Sequence, residues 1–215
     1  MNILDVYKKY QIMPNLQIHQ LRVAAVASLI CKNLKGESII NQTEILKSCL
    51  LHDMGNILKF DLTFFLDFIQ PEGLEYWEQV KKDFKKYGDN EYFATQNIIK
   101  ELGQSENVLE NSNKTGFSKA KQVLESANLS WMICNYADMR VGPKNILTLK
   151  ERTEDGRERH ERNNSAGKNN RNFVEVVVAL EKMEKIIFEK CNILSSDIND
   201  ISVEKEIESL KGVQI

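Results

Sequence analysis

Two histidines and two aspartates are the side chains in this sequence best suited to metal chemistry. His19 and the pair His52-Asp53 lie on segments with apolar helical neighbours, and Asp138 closes a third. Brought together, two imidazoles and two carboxylates suit Mn²⁺, Fe²⁺, Co²⁺, Ni²⁺ or Zn²⁺ better than Mg²⁺. Such a site keeps positions open for a water and a phosphoryl oxygen. A lone histidine on a helix is usually a core or surface residue, so a metal site is predicted only from the two histidines and two aspartates together.

The composition limits the classes of protein that the chain can belong to. Its 215 residues, 42% of them hydrophobic, fit a single domain over 1–215 with a sizeable core. Lys+Arg 29 against Asp+Glu 31 gives a formal charge of −2, which argues against binding bulk nucleic acid. No apolar run approaches the ~18 residues of a membrane span, and the first ten residues do not resemble a secretory signal. We therefore expect a cytoplasmic protein without membrane association.

The four cysteines support the same compartment. They are far apart, form no C-x-x-C motif, and sit inside apolar helical patterns. Cysteines with this spacing are typical of small core residues in a reducing environment. The residues concerned are Cys31, Cys49, Cys134 and Cys191.

Helical spacing of apolar residues dominates the chain and predicts an all-α fold, a compact bundle of many helices. The first motif helix is expected to start at Pro14 with Asn15 as its N-cap. The second is expected to start at Asn41, with Glu44 in a capping-box position, and to end near Gly55. In that arrangement the pair at 52–53 occupies the last turn of the second helix.

The remaining segments are assigned by periodicity and turn residues. Residues 56–70 predict a short apolar helix over the site, as a lid or as core. Residues 107–116 are polar and predict a loop with at most one helical turn. One helix is expected over 118–140, and a flexible loop over 163–172. The C-terminal extension 173–215 is expected to be helical, with a short final helix at 203–210.

Three local stretches resemble the HD-domain (His-Asp) superfamily of metal-dependent phosphohydrolases, as found in small bacterial members. They are the segments around His19 (IHQLRVA), around His52-Asp53 (LLHDMG) and around Asp138 (YADMRV), which together cover residues 15–162. The resemblance implies that His19, His52, Asp53 and Asp138 bind one divalent transition-metal ion. It further implies that Asp53 is catalytic and orients the attacking water.

The chain departs from the superfamily pattern in two places. It has no histidine between Asp53 and Asp138, which implies one metal ion rather than two. The lysine that often follows H-D-x-G is Asn56 here, although Lys59 lies three residues later and could contact a phosphate. Arg22, one turn after the first histidine, is a second candidate for phosphate binding, with a salt-bridged helix residue as the alternative.

Some roles have no spacing argument behind them. Glu72 and Glu91 are the candidates for a general acid, and a surface position is the alternative for each. Arg140 is expected to point away from the site and to form an ion pair within the fold.

The resemblance implies hydrolysis of a small phosphate ester, such as a nucleoside monophosphate, as in a 5′-nucleotidase. Two alternatives stay open: a phosphodiesterase or alarmone hydrolase, and a regulatory or scaffold module that keeps the fold without catalysis. The sequence also leaves a homo-oligomer open.

Overall fold

The computed structural model describes residues 1–36, 40–63, 66–163 and 170–215, and across them the chain is helical with no β-sheet. The prediction of an all-α fold is confirmed. The helices are α1 Ile3–Lys9, α2 Pro14–Lys32, α3 Gln42–Leu51, α4 Leu74–Phe84, α5 Glu91–Glu101, α6 Glu106–Asn113, α7 Ala120–Ser126, α8 Leu129–Asp138, α9 Leu149–Asn163, α10 Asn170–Glu189 and α11 Asp200–Leu210.

Helix α2 is the central helix of the bundle, because α3, α8 and α11 all pack against it. Its middle turns carry small side chains, including Ala24 and Ala27, which are fully buried. Small residues let neighbouring helices approach closely, so α2 is enclosed on several sides. The central position of α2 places His19, in its second turn, next to the elements that carry the other motif residues.

The predicted helix starts are partly right. Helix α2 begins at Pro14 and its N-cap is Met13, so the prediction of Asn15 as N-cap is wrong. Proline is favoured at the first helical position, where its missing N–H costs nothing. Helix α3 has the predicted cap, because Asn41 Oδ1 accepts a hydrogen bond from the backbone N of Glu44 at 3.3 Å. It ends at Leu51, earlier than predicted, so residues 52–55 form a turn after it.

The predicted loop over 107–116 is wrong for most of its length, because α6 occupies it. Ser105 caps this helix, its Oγ accepting a hydrogen bond from the backbone N of Val108 at 3.4 Å. Val108 is buried, and its carbonyl accepts a hydrogen bond from Ser48 Oγ on α3 at 3.2 Å. A cap and one packed face are therefore enough to make a helix of a polar sequence.

Two other predicted elements are divided in the structure. In place of one helix over 56–70, the described residues 56–63 and 66–70 contain two short 3₁₀ turns, Asn56–Lys59 and Leu66–Ile69. The predicted helix over 118–140 is split at Ala127, whose φ of 53° is left-handed, so that α7 and α8 are separate. The split makes Asp138 the last residue of a ten-residue helix.

The C-terminal extension is helical as predicted, and its residues join the same hydrophobic core as the motif helices. Of the flexible loop predicted over 163–172, residue 163 ends α9 and residues 170–172 begin α10, whereas residues 164–169 lie outside the described part. Within the described ranges, no helix is both long enough and apolar enough to cross a membrane.

Candidate metal centre

The four motif side chains come from three separate elements and meet at one point. His19 Nε2 lies 3.2 Å from Asp138 Oδ1 and 3.6 Å from Asp53 Oδ2. His52 Nε2 lies 3.6 Å from each of the same two oxygens. The two imidazole rings are tilted by 51°, with centroids 5.3 Å apart. Helix α2, the turn after α3 and the end of α8 thus converge on a single cluster, which we call the HD cluster.

The spacing of the HD cluster fits a single metal ion. Ligand atoms of His19, His52 and Asp53 all lie within 4.8 Å of one another, and Asp138 approaches both imidazoles. At metal–ligand distances of about 2.1 Å, adjacent ligands of an octahedral ion are about 3.0 Å apart and opposite ones about 4.2 Å. The measured separations therefore need only small adjustments around an ion.

His52 is oriented to offer a lone pair to the cluster. Its Nδ1 donates a hydrogen bond to the Cys49 carbonyl at 2.8 Å, which fixes the ring. Its Nε2 is buried and makes no hydrogen bond to any described residue. Buried polar atoms are normally paired, and metal-bound histidines typically donate their other ring N–H to a carbonyl. The donor set and the unpaired nitrogen both fit a bound divalent ion.

The electrostatics of the cluster also favour a cation. Burial opposes protonation of His52, but the negative charges of Asp53 and Asp138 outweigh it and raise the pKa of His52 to about 9. Burial would raise the pKa of Asp138, yet its contacts with His19 and His52 hold that pKa well below its usual range. The two carboxylates thus stabilise positive charge between them, and a divalent ion would compete with protons for the same place.

The turn at 52–55 is held from two sides. On one side, Gln20 of α2 is fully buried, and its Oε1 accepts a hydrogen bond from the backbone N of Asp53 at 3.2 Å. On the other side, the backbone N of Gly55 donates to Thr95 Oγ1 of α5 at 2.8 Å. A Cβ at Gly55 would lie 2.4 Å from the Glu91 carbonyl oxygen. Glycine is therefore required for α5 to pack against the turn that carries His52 and Asp53.

All four motif residues line one cavity of about 490 Å³. The rest of its described lining includes three chemical types besides Glu91 and several aliphatic residues. The cationic side chains are Lys59, Lys119 and Arg152; aromatic rings are Phe60, Phe68, Tyr92 and Phe117; neutral polar side chains include Asn15, Asn56, Thr95, Gln96, Ser112 and Asn113.

The predicted phosphate-binding residues are placed differently. Lys59 lines the cavity and its side chain is exposed, whereas Arg22 is half-buried on α2 and is not among the described lining residues. Arg152, which stands in a run of charged residues, lines the cavity from the first turn of α9. Its Nε is buried without a hydrogen bond to a described residue, and a terminal nitrogen pairs with Asp155 at 3.2 Å. Glu91 lines the cavity and Glu72 does not.

Arg140 points away from this cavity, as predicted, but it forms no direct ion pair with a described carboxylate. The buried guanidinium donates to the carbonyls of Leu147, Ser195 and Ile198 at 2.5, 3.1 and 2.9 Å. It also donates to the Tyr136 hydroxyl at 2.7 Å, which in turn donates to Glu184 at 2.6 Å. We call this set the Arg140 cluster. It joins the end of α8 to the C-terminal extension.

The fold and the clustered His and Asp side chains define a helical domain with a candidate metal centre. A family model for the HD domain matches residues 16–167, which is more than half of the chain. The chain belongs to the HD-domain family, whose members bind divalent metals and are mostly metal-dependent hydrolases. No significant match was found among curated proteins or among solved structures.

The side of the cavity formed by α5 and α6 was not predicted from the sequence. Ser112 and Asn113 lie in the segment predicted as a loop, and Gln96 belongs to no motif that the sequence singles out. The signal that could have found α6 is the cap at Ser105 followed by Val108 and Leu109, which have the spacing of a short amphipathic helix.

Proposed function

We propose that this protein is a metal-dependent phosphohydrolase that acts on a small phosphate ester, in particular a nucleoside monophosphate. One observation carries the proposal: the HD cluster shares its cavity with cationic side chains that suit a phosphate and with aromatic and amide side chains that suit an organic group. A volume of about 490 Å³ lies within the usual range for small-molecule sites, roughly 300 to 1,000 Å³.

In this proposal His19, His52, Asp53 and Asp138 hold one divalent ion. The bound ion would lower the pKa of a water and offset charge on the phosphoryl oxygens. Asp53, which is the more exposed of the two carboxylates, orients the attacking water. A phosphate in this cavity would be attracted by the charges of Lys59 and Arg152, and the unpaired Nε of Arg152 supplies a donor.

Glu91 is assigned to the leaving group. It is the one carboxylate among the described lining residues that does not belong to the HD cluster, and no described residue pairs with its side chain. Water forms a bond to phosphorus as the ester oxygen departs, and in this proposal the Glu91 carboxyl relays a proton from solvent to that oxygen. The proton lost by the water passes to solvent. Proton donation of this kind typically contributes about 10²- to 10⁴-fold to the rate.

The substrate test is product formation from a panel of phosphate esters with Mn²⁺ or Co²⁺. The panel contains nucleoside monophosphates, cyclic nucleotides, guanosine tetraphosphate and p-nitrophenyl phosphate. Asp53→Ala removes a proposed ligand, and Asp83→Ala, an exposed carboxylate on α4 outside the cavity lining, is the matched control. We expect turnover of monophosphates that a chelator abolishes, that Asp53→Ala loses and that Asp83→Ala retains.

The other outcomes identify the alternatives. Preferred turnover of cyclic nucleotides or of guanosine tetraphosphate would replace the monoesterase with a phosphodiesterase or an alarmone hydrolase. No turnover with either metal, with the protein folded, would overturn the enzymatic proposal and favour the scaffold module.

A further inference from the structure

The cavity has two chemically different sides. The HD cluster carries charged groups on one side, whereas on the side formed by α5 and α6 the buried lining residues are neutral and polar, and Glu91 in the first turn of α5 is the charged lining residue there. Thr95, Gln96 and Ser112 are buried there, with 4%, 8% and 5% of their surface exposed, and Asn113 is half-buried. We call these four residues the amide wall. A wall without charge, which suits hydrogen bonding to a neutral group, lies beside a site suited to an anion.

Ser112 is the most informative member of the amide wall. Its Oγ is buried and makes no hydrogen bond to any described residue. Ser48, on the neighbouring helix α3, behaves in the usual way: its Oγ contacts the carbonyls of Glu44 and Val108 at 2.6 and 3.2 Å. An unpaired buried hydroxyl costs about 1–3 kcal/mol. Ser112 also lines the cavity, and a ligand bound against this wall would supply the missing partner of its hydroxyl.

Gln96 and Asn113 form a reciprocal pair of amides. Asn113 Nδ2 donates to Gln96 Oε1 at 3.0 Å, and Gln96 Nε2 donates back to Asn113 Oδ1. This pairing fixes the two amides relative to each other and leaves each with one further N–H and one further lone pair. The two amide groups are therefore held in place together, as recognition of a specific polar edge requires.

The wall is fixed relative to the HD cluster. Asn135 of α8, one turn before Asp138, donates from Nδ2 to the carbonyls of Lys114 and Gly116 at 2.7 and 2.9 Å. These two carbonyls belong to the segment that follows Asn113 and that also lines the cavity. The distance between the amide wall and the metal ligand on α8 is thus set by direct hydrogen bonds.

Aromatic side chains complete this side of the cavity. Phe117 lines it and is backed by Phe173 of α10, with ring centroids 5.1 Å apart. Tyr92 lines it from the first turn of α5 and is partly exposed. Flat apolar faces beside fixed donors and acceptors fit a planar ring with a polar edge, which aromatic side chains stack against.

From this arrangement we infer that the amide wall binds the base of the nucleotide substrate, with Ser112, Gln96 and Asn113 as residues that determine specificity. The inference rests on the proposed function, and it assigns the part of the substrate that does not react. Binding energy from a non-reacting group positions the phosphate over the HD cluster. Esters that lack a base should therefore gain nothing from the wall.

The test compares Ser112→Ala with Ser209→Ala, an exposed serine on α11 outside the cavity lining. Binding of AMP, GMP, CMP and UMP is measured by calorimetry, and ribose 5-phosphate serves as the ligand without a base. Loss of one hydrogen bond should weaken the best-bound nucleotide about five- to tenfold in Ser112→Ala. Affinity for ribose 5-phosphate should not change, and Ser209→Ala should match the wild type.

A second variant tests the amide pair. Gln96→Met keeps the length of the side chain and removes its donor and acceptor, so the differences in affinity among AMP, GMP, CMP and UMP should narrow. Equal weakening of ribose 5-phosphate by Ser112→Ala would assign the wall to the sugar and overturn the inference, as would unchanged nucleotide affinity. Failure of the wild type to hydrolyse any ester would instead refute the proposed function, and the calorimetry would still decide the role of the wall.

Discussion

The HD cluster and the Arg140 cluster lie two residues apart at the end of α8, and they treat buried polar groups in opposite ways. Around Asp138, His52 keeps a buried nitrogen without a hydrogen bond, and two carboxylates surround it. Around Arg140, the guanidinium bonds three carbonyls and a hydroxyl, and Glu184 offsets its charge through Tyr136. The first cluster has capacity left for a ligand, whereas the second is satisfied within the protein.

Missing hydrogen bonds indicate which buried polar groups are candidates for ligand binding. In a satisfied cluster, hydrogen bonds within the protein offset the free-energy cost of burying the polar groups, so the cluster contributes to the stability of the folded state. An unsatisfied one lowers stability unless a ligand completes it. The two clusters are adjacent in the sequence, so only their hydrogen bonding distinguishes them.

The largest expected effect is at the HD cluster and concerns binding. Mn²⁺ at about a hundred times its Kd should stabilise the wild type by about 2.7 kcal/mol. Asp53→Asn should remove this stabilisation and lower phosphatase activity more than about a hundredfold, since even outer-shell changes at metal sites cost 10- to 100-fold. Without metal, its free energy of unfolding should stay within about 1 kcal/mol of the wild type, because the site is partly exposed. Thermal unfolding with and without Mn²⁺ measures both the stabilisation by metal and the stability of the metal-free protein.

The Arg140 cluster should show the reverse behaviour. Arg140→Met leaves three carbonyls and the Tyr136–Glu184 pair without their partner, so the free energy of unfolding should fall by about 3 to 5 kcal/mol. Mn²⁺ affinity of the folded protein should persist. Urea denaturation and calorimetry measure the two quantities, with Lys150→Met, an exposed position on α9, as control. A stable Arg140→Met protein that no longer binds Mn²⁺ would erase the distinction between the clusters.

A substitution at Gly55 should lower both the free energy of unfolding and the affinity for Mn²⁺. Gly55→Ala places a Cβ against the backbone of α5, and overpacking of this kind costs about 1–3 kcal/mol. Because the same turn carries Asp53, Mn²⁺ affinity should fall as well. Gly212→Ala, where nothing lies within 4 Å, is the matched control. Unchanged stability and affinity in Gly55→Ala would show that α5 does not constrain the turn.

The smallest effect is expected at Glu91 and should depend on the leaving group. Glu91→Gln should slow hydrolysis of an alkyl phosphate about a hundredfold, because its leaving oxygen needs a proton. The rate for p-nitrophenyl phosphate, a good leaving group, should change little, and the free energy of unfolding should not change. Glu72→Gln, outside the cavity lining, is the comparison. An equal loss for both esters would assign Glu91 to phosphate or metal binding instead.

The parts of the fold that sequence predicts are those with local signals. Asn41 caps α3 as expected, and apolar spacing predicts α10 and α11, because both effects act within a few residues. Around Ser112 the sequence Asn-Ser-Asn has the composition of a turn. Packing of Val108 onto α3 decides in favour of a helix, and that contact is separated by sixty residues.

The positions of charged side chains also depend on long-range contacts that the sequence does not predict. Arg152 stands in a run of charges that predicts a solvated helix, and only the position of α9 beside the cavity brings this side chain to the site. Arg140 was expected to meet a carboxylate directly. Its main partners are backbone carbonyls of residues 147, 195 and 198, which carry no sequence signal at all.

The contact between Arg140 and residues 195–198 bears on where this protein can be divided. The family match ends at residue 167, yet the carbonyls that receive the guanidinium lie some thirty residues later. Ending the chain at the family boundary would leave a buried cation facing water and would uncover α2 where α11 now packs. We therefore expect that boundary to delimit shared ancestry and not an independently folding unit, so a fragment cut there should aggregate when expressed.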